Sequence, residues 1–584
     1  MSHNGSSVSH AWTKLDVMRH SAAHVLAKAV QQLYPGSRLG IGPVIENGFY
    51  YDIDIPTRIS EDDLPRIENT MREIVARAEP FVREEWTRRQ ALEHYSAADD
   101  ENPYKREIVE GLSDDESISF YRTGADWLDL CRGPHVADSK QIGAFKLLSV
   151  SGAYWRGDET RPMLQRVYGT AWQTQEQLEH YLWQVEEARK RDHRKLGREL
   201  ELFFFDEVAP GQPFWLPKGL RIIHELEGLL QRELDARGYL EISTPSLVKS
   251  DLWKQSGHWD FYEQGMFKLE VEEEDYAFKP MNCPESTLVF GFKTRSYRDL
   301  PLRLAQTDRL LRNERSGTLN GLLRVRQLTM DDAHIFCRPD QVQDEIRGVL
   351  EFQKAIYDVF GMQPRFYLST RPAKAIGDPA VWEVAEADLK AALDQNGLAY
   401  EVKEGEGAFY GPKIDVDIQD ALGRPWQLNT TQLDFQMPER FKLEYVGEDG
   451  QGHRPVMIHR AIFGTYERFM AVLVEHYAGA FPLWLAPVQA VVVPIADRHL
   501  EYAESVAGKL RAGGFRVEVD ARREKMQAKI RDAQAQQVPY MLVVGDRDQQ
   551  AGTVSIRERR QGDLGPKPVS EFLHMLEDQR AART

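Results

Sequence analysis

The chain has 584 residues, 42% hydrophobic and 10% aromatic, enough for three or four domains with buried cores. Its 74 basic and 91 acidic residues leave a net charge of −17, which excludes a global attraction to nucleic acid or anionic membranes; any nucleic-acid contact must use local basic patches. Three cysteines make no disulfide framework, the polar start MSHNGSSVSHAWTKLD is no secretory signal, and no apolar run approaches the ~20 residues of a membrane span, so a soluble cytoplasmic protein is expected.

Residues 1–15 read as a disordered tail. Helical periodicity follows over 17–34, with Val17, Ala22, Val25, Leu26, Ala29, Val30 and Leu33 on one side, until Pro35 and Gly36 end it. From 38 to about 170, β-like runs such as FYYDIDI and FKLLSVSGAYWR alternate with charged helical pieces; this gives an α+β domain, placed at 16–173. Residues 174–200 mix both signs of charge without a wide apolar face and are expected to form one connecting helix. Pro210, Pro213 and Pro217 open a region placed at 201–484, with a helix over 220–237, strand and loop over 239–253, antiparallel-type strands to about 460, and a helix from His459 to about Gly479. Over 485–584, the apolar strands AVVVPI, RVEVD and YMLVVG alternate with helical runs, which implies a small, mostly parallel α/β domain.

The densest chemistry lies in 312–337, RNERSGTLNGLLRVRQLTMDDAHIFC. Arg312, Arg324 and Arg326 lie close in sequence to Asp331, Asp332 and His334. Guanidinium groups hold phosphate bidentately and stay charged. Neighbouring acids can orient a metal, an amine or a hydroxyl; a solvated hairpin is the alternative. His20 and His24 share a helical face, and Cys131 and His135 form a second pair on a turn. Together they have the look of a zinc site, the alternative being unrelated core or surface residues. No spacing links Cys283, His334 and His459, and a single Cys between prolines is ordinarily structural. Arg468 lies in GTYERF on an expected helix, with Glu467 as a salt-bridge partner and Gly464 allowing close backbone approach; an ordinary surface pair there would contribute little.

At this point the motifs resemble a known family. GYLEISTP, ending at Pro245, resembles motif 1 of the class II aminoacyl-tRNA synthetases. Arg312–Glu314 with Arg324–Arg326 resembles motif 2, and GTYERF at 464–469 resembles motif 3. More closely, MNCP, RVRQLTMDDAHIFC, EGAFYGPKID, TTQLDF, HRAIFGTYERF and VPYMLVVGD are similar, in order, to signatures of the threonyl-tRNA synthetase family. RHSAAHVLA and DLCRGPHV resemble its editing domain, so the likeness runs from about residue 16 onward. The resemblance implies an α+β multidomain chain: an antiparallel catalytic sheet of six or seven strands, an editing domain before it and an α/β anticodon-binding domain after it. It implies ATP-dependent attachment of L-threonine to tRNA(Thr) through a threonyl-adenylate, Mg²⁺ with ATP, one Zn²⁺ per subunit, and a homodimer.

By the same resemblance, Arg312 holds the α-phosphate and the amino-acid carboxylate region, Glu314 meets the adenine edge, Arg324 reaches the phosphates and Arg468 the γ-phosphate. Arg312 and Arg468 would carry the catalysis electrostatically. Cys283, His334 and His459 become zinc ligands, Asp332 accepts from the threonine hydroxyl, and Tyr410, Gln427 and Gln432 line the amino-acid and ATP pocket. A methyl discriminates by only about 1–3 kcal/mol, too little to reject serine, so a second, hydrolytic site is expected. Its residues would be His20, His24, Lys105, Asp129, Cys131 and His135. The resemblance implies water-mediated hydrolysis of seryl-tRNA(Thr) there without a bound metal, whereas ligand spacing favours zinc. Arg523, Asp548 and Arg557 would be anticodon contacts.

The chain also departs from the pattern. The ubiquitin-like module that usually precedes the editing domain is not expected here, since the likeness to the editing domain begins at about residue 16. The usual Asn-Cys-Pro-Gly-His reads NCPES, with Glu285 and Ser286 beside Cys283. Met330 replaces a usual Gln, Leu428 lies in a run that usually reads Trp-Gln-Cys-Gly-Thr, and Arg523 replaces a usual Asn. These changes are expected around the amino-acid pocket and one tRNA contact. They fit either a divergent, inhibitor-resistant second copy or neutral change around a kept site. A regulatory protein that kept the fold and lost aminoacylation, or a metallohydrolase centred on His20, His24, Cys131 and His135, are the competing classes.

Overall fold

The computed structural model describes residues 12–96, 102–113 and 116–583. They fall into two compact units divided after Glu186. In the first unit, helix α1 (Lys14–Leu33) starts at a capping box: the Thr13 hydroxyl accepts from the Asp16 N–H, and the Asp16 carboxylate accepts from the Thr13 N–H. The helix therefore begins inside the stretch expected to be a tail, while residues 1–11 lie outside the described residues. Its face of Ala22, Val25, Leu26, Ala29 and Val30 is fully buried. α2 (Leu64–Ala76) packs beside it.

Strands β1 (Gly48–Asp54), β2 (Phe81–Trp86), β3 (Ile118–Thr123), β4 (Trp127–Leu130), β5 (Ala144–Tyr154) and β6 (Met163–Trp172) build two antiparallel sheets. One has β6 between β1 and β5; the other runs β2-β3-β4. A short helix, α3 (Pro103–Glu110), is capped by Asn102. The stretch 174–200 is two helices rather than one, α4 (Gln175–Lys190) and α5 (His193–Glu199). Asp192 causes the break: its carboxylate accepts from the Arg194 N–H at 2.8 Å and starts a new helix.

The second unit is organised on a mixed sheet. Its elements are α6 (Pro217–Ala236), β7 (Leu240–Glu241), α7 (Cys283–Gly291), β8 (Leu302–Leu311), β9 (Gln327–Cys337), α8 (Val342–Val359), β10 (Pro364–Ser369), α9 (Pro379–Gln395), β11 (Tyr400–Lys403), β12 (Lys413–Gln419), β13 (Pro425–Asp434), β14 (Val456–Thr465) and α10 (Tyr466–Tyr477). The order is β7-β8-β9-β14-β13-β12-β10-β11. The inner pairings are antiparallel, and the two edge pairings, β7 with β8 and β10 with β11, are parallel. The sheet thus has eight strands, not six or seven, because short edge strands too brief to show a periodicity are added at both ends. Apolar residues of α6, α8 and α10, including Leu226, Val349 and Phe469, fill the main core with Ile335 and Ile458 of the sheet.

His459 lies on β14 and not on a helix. The helix starts seven residues later at Tyr466, where the Thr465 hydroxyl accepts from the Arg468 N–H. Gly464 makes the strand-to-helix turn possible: its φ is +79° and a Cβ there would lie 2.0 Å from the Leu428 carbonyl oxygen.

The C-terminal part carries β15 (Ala490–Pro494), α11 (Leu500–Ala512), β16 (Val517–Val519), α12 (Met526–Ala535), β17 (Tyr540–Val544), β18 (Thr553–Glu558), β19 (Gly562–Pro568) and α13 (Val569–Ala582). The sheet order is β16-β15-β17-β18-β19. The first three strands are parallel, as expected, and an antiparallel hairpin of β18 and β19 extends them. Gly464→Ala is expected to destabilise the catalytic sheet by about 2–3 kcal/mol, read as a lowered denaturation midpoint, because the new methyl meets backbone that cannot move aside.

Candidate active site and candidate hydrolytic site

Successive side chains of β9 alternate between faces. Asp332 and His334 share one face, and Asp331 points to the other. There Asp331 accepts the backbone N–H groups of Ile462 and Phe463 at 2.8 and 3.1 Å. Burial pushes its carboxyl up to about 7. The acidic pair read from the sequence therefore divides into one residue for the core and one for the site.

Register then gathers the rest. His334 stands opposite His459, and His459 stands opposite Gln432. Cys283, at the start of α7, completes a cluster in which one ligand atom from each of Cys283, His334 and His459 lies within 4.8 Å of the others. The residues around them orient the rings. Ser286 Oγ is 2.9 Å from His334 Nδ1, Asp434 is 2.9 Å from His459 Nε2, and the Asn282 amide donates to Asp332 at 3.3 Å. Burial, followed by Asp332, Asp434 and Glu285, pushes the Cys283 thiol well up. Burial, then His459 and Arg460, holds His334 well below its ordinary value. A cysteine and two histidines, with buried acids about them and Asn282 Oδ1 lacking a hydrogen-bond partner, fit Zn²⁺ with an open position. Tyr410 donates to Gln432 at the edge of this pocket.

The arginines converge beside it. Arg312 donates to the Pro280 carbonyl at 3.2 Å, and Arg324 donates to Glu314 at 2.9 Å. Arg468 donates to the Gln427 carbonyl at 2.9 Å, while the Gln427 amide donates to Asp415 at 2.7 Å. Burial lowers the Arg468 pKa, and the charges of Arg324 and Arg312 lower it further. Three cations that repel one another at close quarters make a local field suited to a polyanion. Glu467 does not pair with Arg468, as the sequence suggested. It accepts the Thr329 N–H at 2.8 Å, and burial pushes it up to about 7.

Sequence reasoning missed His258. It is fully buried, with Nε2 3.9 Å from Cys283 Sγ and Nδ1 2.8 Å from Ser256 Oγ. Burial, then His459, pushes its pKa down to about 4. No local pattern marks this histidine; only the fold brings it here.

Two of the four departures in the catalytic region pack into apolar clusters. Met330 packs against the apolar cluster of Leu310, Val325 and Leu328, and the unbroken ladder between β8 and β9 keeps it on the same face of β9 as Asp332 and His334. Leu428 is part of the main core. Ser286 holds His334, and Glu285 is buried with neither carboxylate oxygen hydrogen-bonded, its pKa pushed up to about 8 by burial. The notion of a remodelled pocket gains no support from these placements.

The first unit holds the second cluster. His20, His24, Cys131 and His135 come together, with Cys131 Sγ 3.3 Å from both His20 Nε2 and His135 Nε2. Lys105 of α3 pairs with Asp129 of β4 at 2.7 Å, and His24 is 3.8 Å from the same carboxylate. Tyr51 of β1, absent from the sequence expectations, donates to Asp129 and accepts from Lys105 at 3.2 Å. Burial holds His20, His24 and His135 below the ordinary imidazole value and pushes Cys131 up to about 12. At His20 and Cys131 the Asp129 charge raises the pKa and the Lys105 charge partly offsets it, whereas at His24 the imidazoles of His135 and His20, then Lys105, lower it further. The groups open on a cavity of about 1090 Å³ with Trp12, Ile41 and Ile45 at its wall.

In the C-terminal part, Arg523 is exposed and 3.6 Å from Asp497. Asp548 is 8% exposed because it accepts the Gly545 N–H and the Thr553 and Ser555 hydroxyls at 3.0–3.2 Å. Arg557 lies on β18 opposite Met541.

Comparison with known proteins agrees with this architecture. Residues 267–477 match the tRNA synthetase class II core domain (G, H, P, S and T), 489–579 an anticodon binding domain, and 118–168 the threonyl and alanyl tRNA synthetase second additional domain. The chain is thus a class II aminoacyl-tRNA synthetase in construction. It is 51% identical over 562 residues to the threonine--tRNA ligase of Desulforamulus reducens, covering 96% of this chain and 88% of that one. To the threonine--tRNA ligase of Thermotoga neapolitana it is 52% identical over 562 residues, covering 96% and 87%. A crystal structure of the RNA binding domain of threonyl-tRNA synthetase from Cryptosporidium parvum Iowa II superposes with a TM-score of 0.65 at 43% identity, covering 66% of this chain and 98% of that one. The chain belongs to the threonine--tRNA ligase family.

The imidazoles of His20, His24 and His135 titrate lower in the folded chain than the usual ~6.5 of an unfolded one. Below that pH the unfolded chain binds protons the folded chain does not, so their contribution makes stability fall as pH falls. Between about pH 6.5 and 5 the melting temperature is expected to fall less steeply in His24→Gln than in the native chain, measured by thermal denaturation at each pH.

Proposed function

We propose that this chain joins L-threonine to tRNA(Thr) in two steps and hydrolyses seryl-tRNA(Thr) formed in error. The catalytic domain is taken as 201–484, the editing domain as 16–173 and the anticodon-binding domain as 485–584, with 174–200 between the first two. The convergence of Arg312, Arg324 and Arg468 beside the cluster of Cys283, His334 and His459 carries this proposal.

In the first step a threonine carboxylate oxygen attacks the α-phosphorus of ATP and pyrophosphate leaves. Arg312 steadies the α-phosphate and the carboxylate, Arg324 and Arg468 hold the outgoing phosphates, and Glu314 with Gln427 borders the nucleotide. No protein nucleophile is needed, so positioning and fixed positive charge supply the rate. Mg²⁺ accompanying ATP would offset its phosphate charge.

Cys283, His334 and His459 would hold Zn²⁺, which when bound offers open positions to an amine and a hydroxyl together. Asp332 is placed to accept from that hydroxyl, and burial pushes its own pKa up to about 6. Tyr410 and Gln432 close the side. Valine lacks the hydroxyl and leaves buried polar groups unpaired, a strong discrimination. In the second step a hydroxyl of the terminal tRNA adenosine attacks the threonyl carbonyl and AMP leaves. His258, held neutral, is available to take the hydroxyl proton.

Serine carries the hydroxyl and passes this filter, so hydrolysis falls to the second cluster. Neutral His20, His24 and His135 can order and deprotonate water, and Lys105, fixed by Asp129 and Tyr51, supplies positive charge near the carbonyl. Hydrolysis there is assigned to water without a metal, with Lys105 held in place by its ion pair with Asp129. At the other end of the chain, Arg523 and Arg557 are assigned to the anticodon, and Asp548 to holding the Gly545 turn beneath it. A homodimer in the cytoplasm completes the proposal.

Threonine-dependent exchange of pyrophosphate into ATP tests the assignment. Arg312→Ala and Arg468→Ala are each expected to lower the rate by about 10²–10³-fold; native rates in both would sink it. Lys105→Ala is expected to leave exchange with threonine unchanged while serine accumulates on tRNA(Thr), read by aminoacylation with threonine, serine and valine side by side.

A further inference from the structure

His193 opens α5 and is 2% exposed. Its Nδ1 lies 2.7 Å from Glu475 Oε1, at the C-terminal end of α10, and its Nε2 accepts the Leu322 N–H at 3.1 Å. Because a backbone N–H can only donate, Nε2 must be the acceptor, and the ring proton stands on Nδ1 and is given to Glu475. Asp192, His193 and Glu475 are close enough to suggest a metal site. Both imidazole nitrogens are already committed, however, and Asp192 accepts from Arg194. The arrangement is therefore a brace.

The brace extends on both sides. Glu475 Oε2 accepts from Arg424 at 2.6 Å, and Arg424 in turn donates to Asp420 at 2.7 Å. On the other side Leu322 lies in the turn closed by the Asn320 N–H to Arg324 carbonyl bond, 3.2 Å long. Gly321 is adapted to the imidazole: its φ is +50°, and a Cβ there would lie 2.2 Å from His193 Nε2. The same turn ends at Arg324. One buried imidazole thus ties three elements together: the segment just before the catalytic core, the far end of the helix whose start carries Arg468, and the turn that carries Arg324.

We propose that His193 is a positioning residue for nucleotide binding, fixing the 320–324 turn against α10 so that Arg324 and Arg468 present their guanidinium groups to one triphosphate. This rests on the assignment of Arg324 and Arg468 to ATP. His193 touches no substrate; its effect passes through the Leu322 N–H and the turn.

The test is threonine-dependent ATP–pyrophosphate exchange with the full chain. His193→Ala is expected to raise KM for ATP about tenfold, the weight of one buried hydrogen bond, with kcat and KM for threonine little changed. Gln offers a donor and an acceptor on one amide, so His193→Gln is expected to recover most of the loss. Gly321→Ala attacks the same contact from the turn and should reproduce the rise in KM, which keeps the test decisive if His193→Ala fails to fold. The double variant His193→Ala with Arg324→Ala should bind ATP no worse than Arg324→Ala alone. Equal changes in both KM values, or additive losses in the double variant, would overturn the positioning role. If Arg324→Ala itself leaves KM for ATP unchanged, the underlying ATP assignment is overturned instead.

Discussion

Everything in the catalytic unit depends on one pairing register, that of β9, β14 and β13. With His334 opposite His459 and His459 opposite Gln432, three strands project two imidazoles and an amide onto one face. A slip of one residue would turn each of these side chains toward the helices of the core and bring Asp331, with its backbone partners, to the pocket. The register is held from the other face, where Ile335 and Ile458 are fully buried and Asp331 is hydrogen-bonded to the backbone of β14. Core and site are thus two faces of the same alternation.

Electrostatics divides the labour between the two clusters. In the catalytic unit burial, and then the nearby guanidinium groups of Arg324 and Arg312, lower the pKa of Arg468, an arrangement that an anion would relieve. Next to them the acids Asp332 and Asp434 surround a cysteine and two histidines, an arrangement suited to a cation. In the first unit burial keeps His20, His24 and His135 below the ordinary imidazole value, beside a buried lysine paired with Asp129. The two sites share the residue types Cys and His yet differ in the groups beside them, carboxylates in one and a lysine–aspartate pair in the other.

Much of this was legible in the sequence. The helix carrying His20 and His24 follows from its apolar periodicity, and the parallel start of the C-terminal sheet follows from short apolar runs alternating with helices. That Arg312, Arg324 and Arg468 matter together, and that two Cys–His clusters form, was reachable through ordered motifs. Other features were not. The break at Asp192 depends on a cap competing with helix continuation, and the strand at His459 was mistaken for helix because a buried central strand shows no alternation. The apolar cluster of Leu310, Val325 and Leu328 against which Met330 packs is likewise assembled by strand pairing and not by neighbours in sequence.

The sequence by itself determined the composition of the sites: which residues are arginine, cysteine or histidine, and in what order along the chain. It determined local helices and turns wherever periodicity, a cap or a glycine acts within a few residues. Only the tertiary structure decided which of those residues meet. His258 beside Cys283, Tyr51 beside Lys105, and His193 between Leu322 and Glu475 are contacts between segments 25 to 282 residues apart. Such contacts have no local signature, because their energy comes from strand register and burial, which belong to the assembled core.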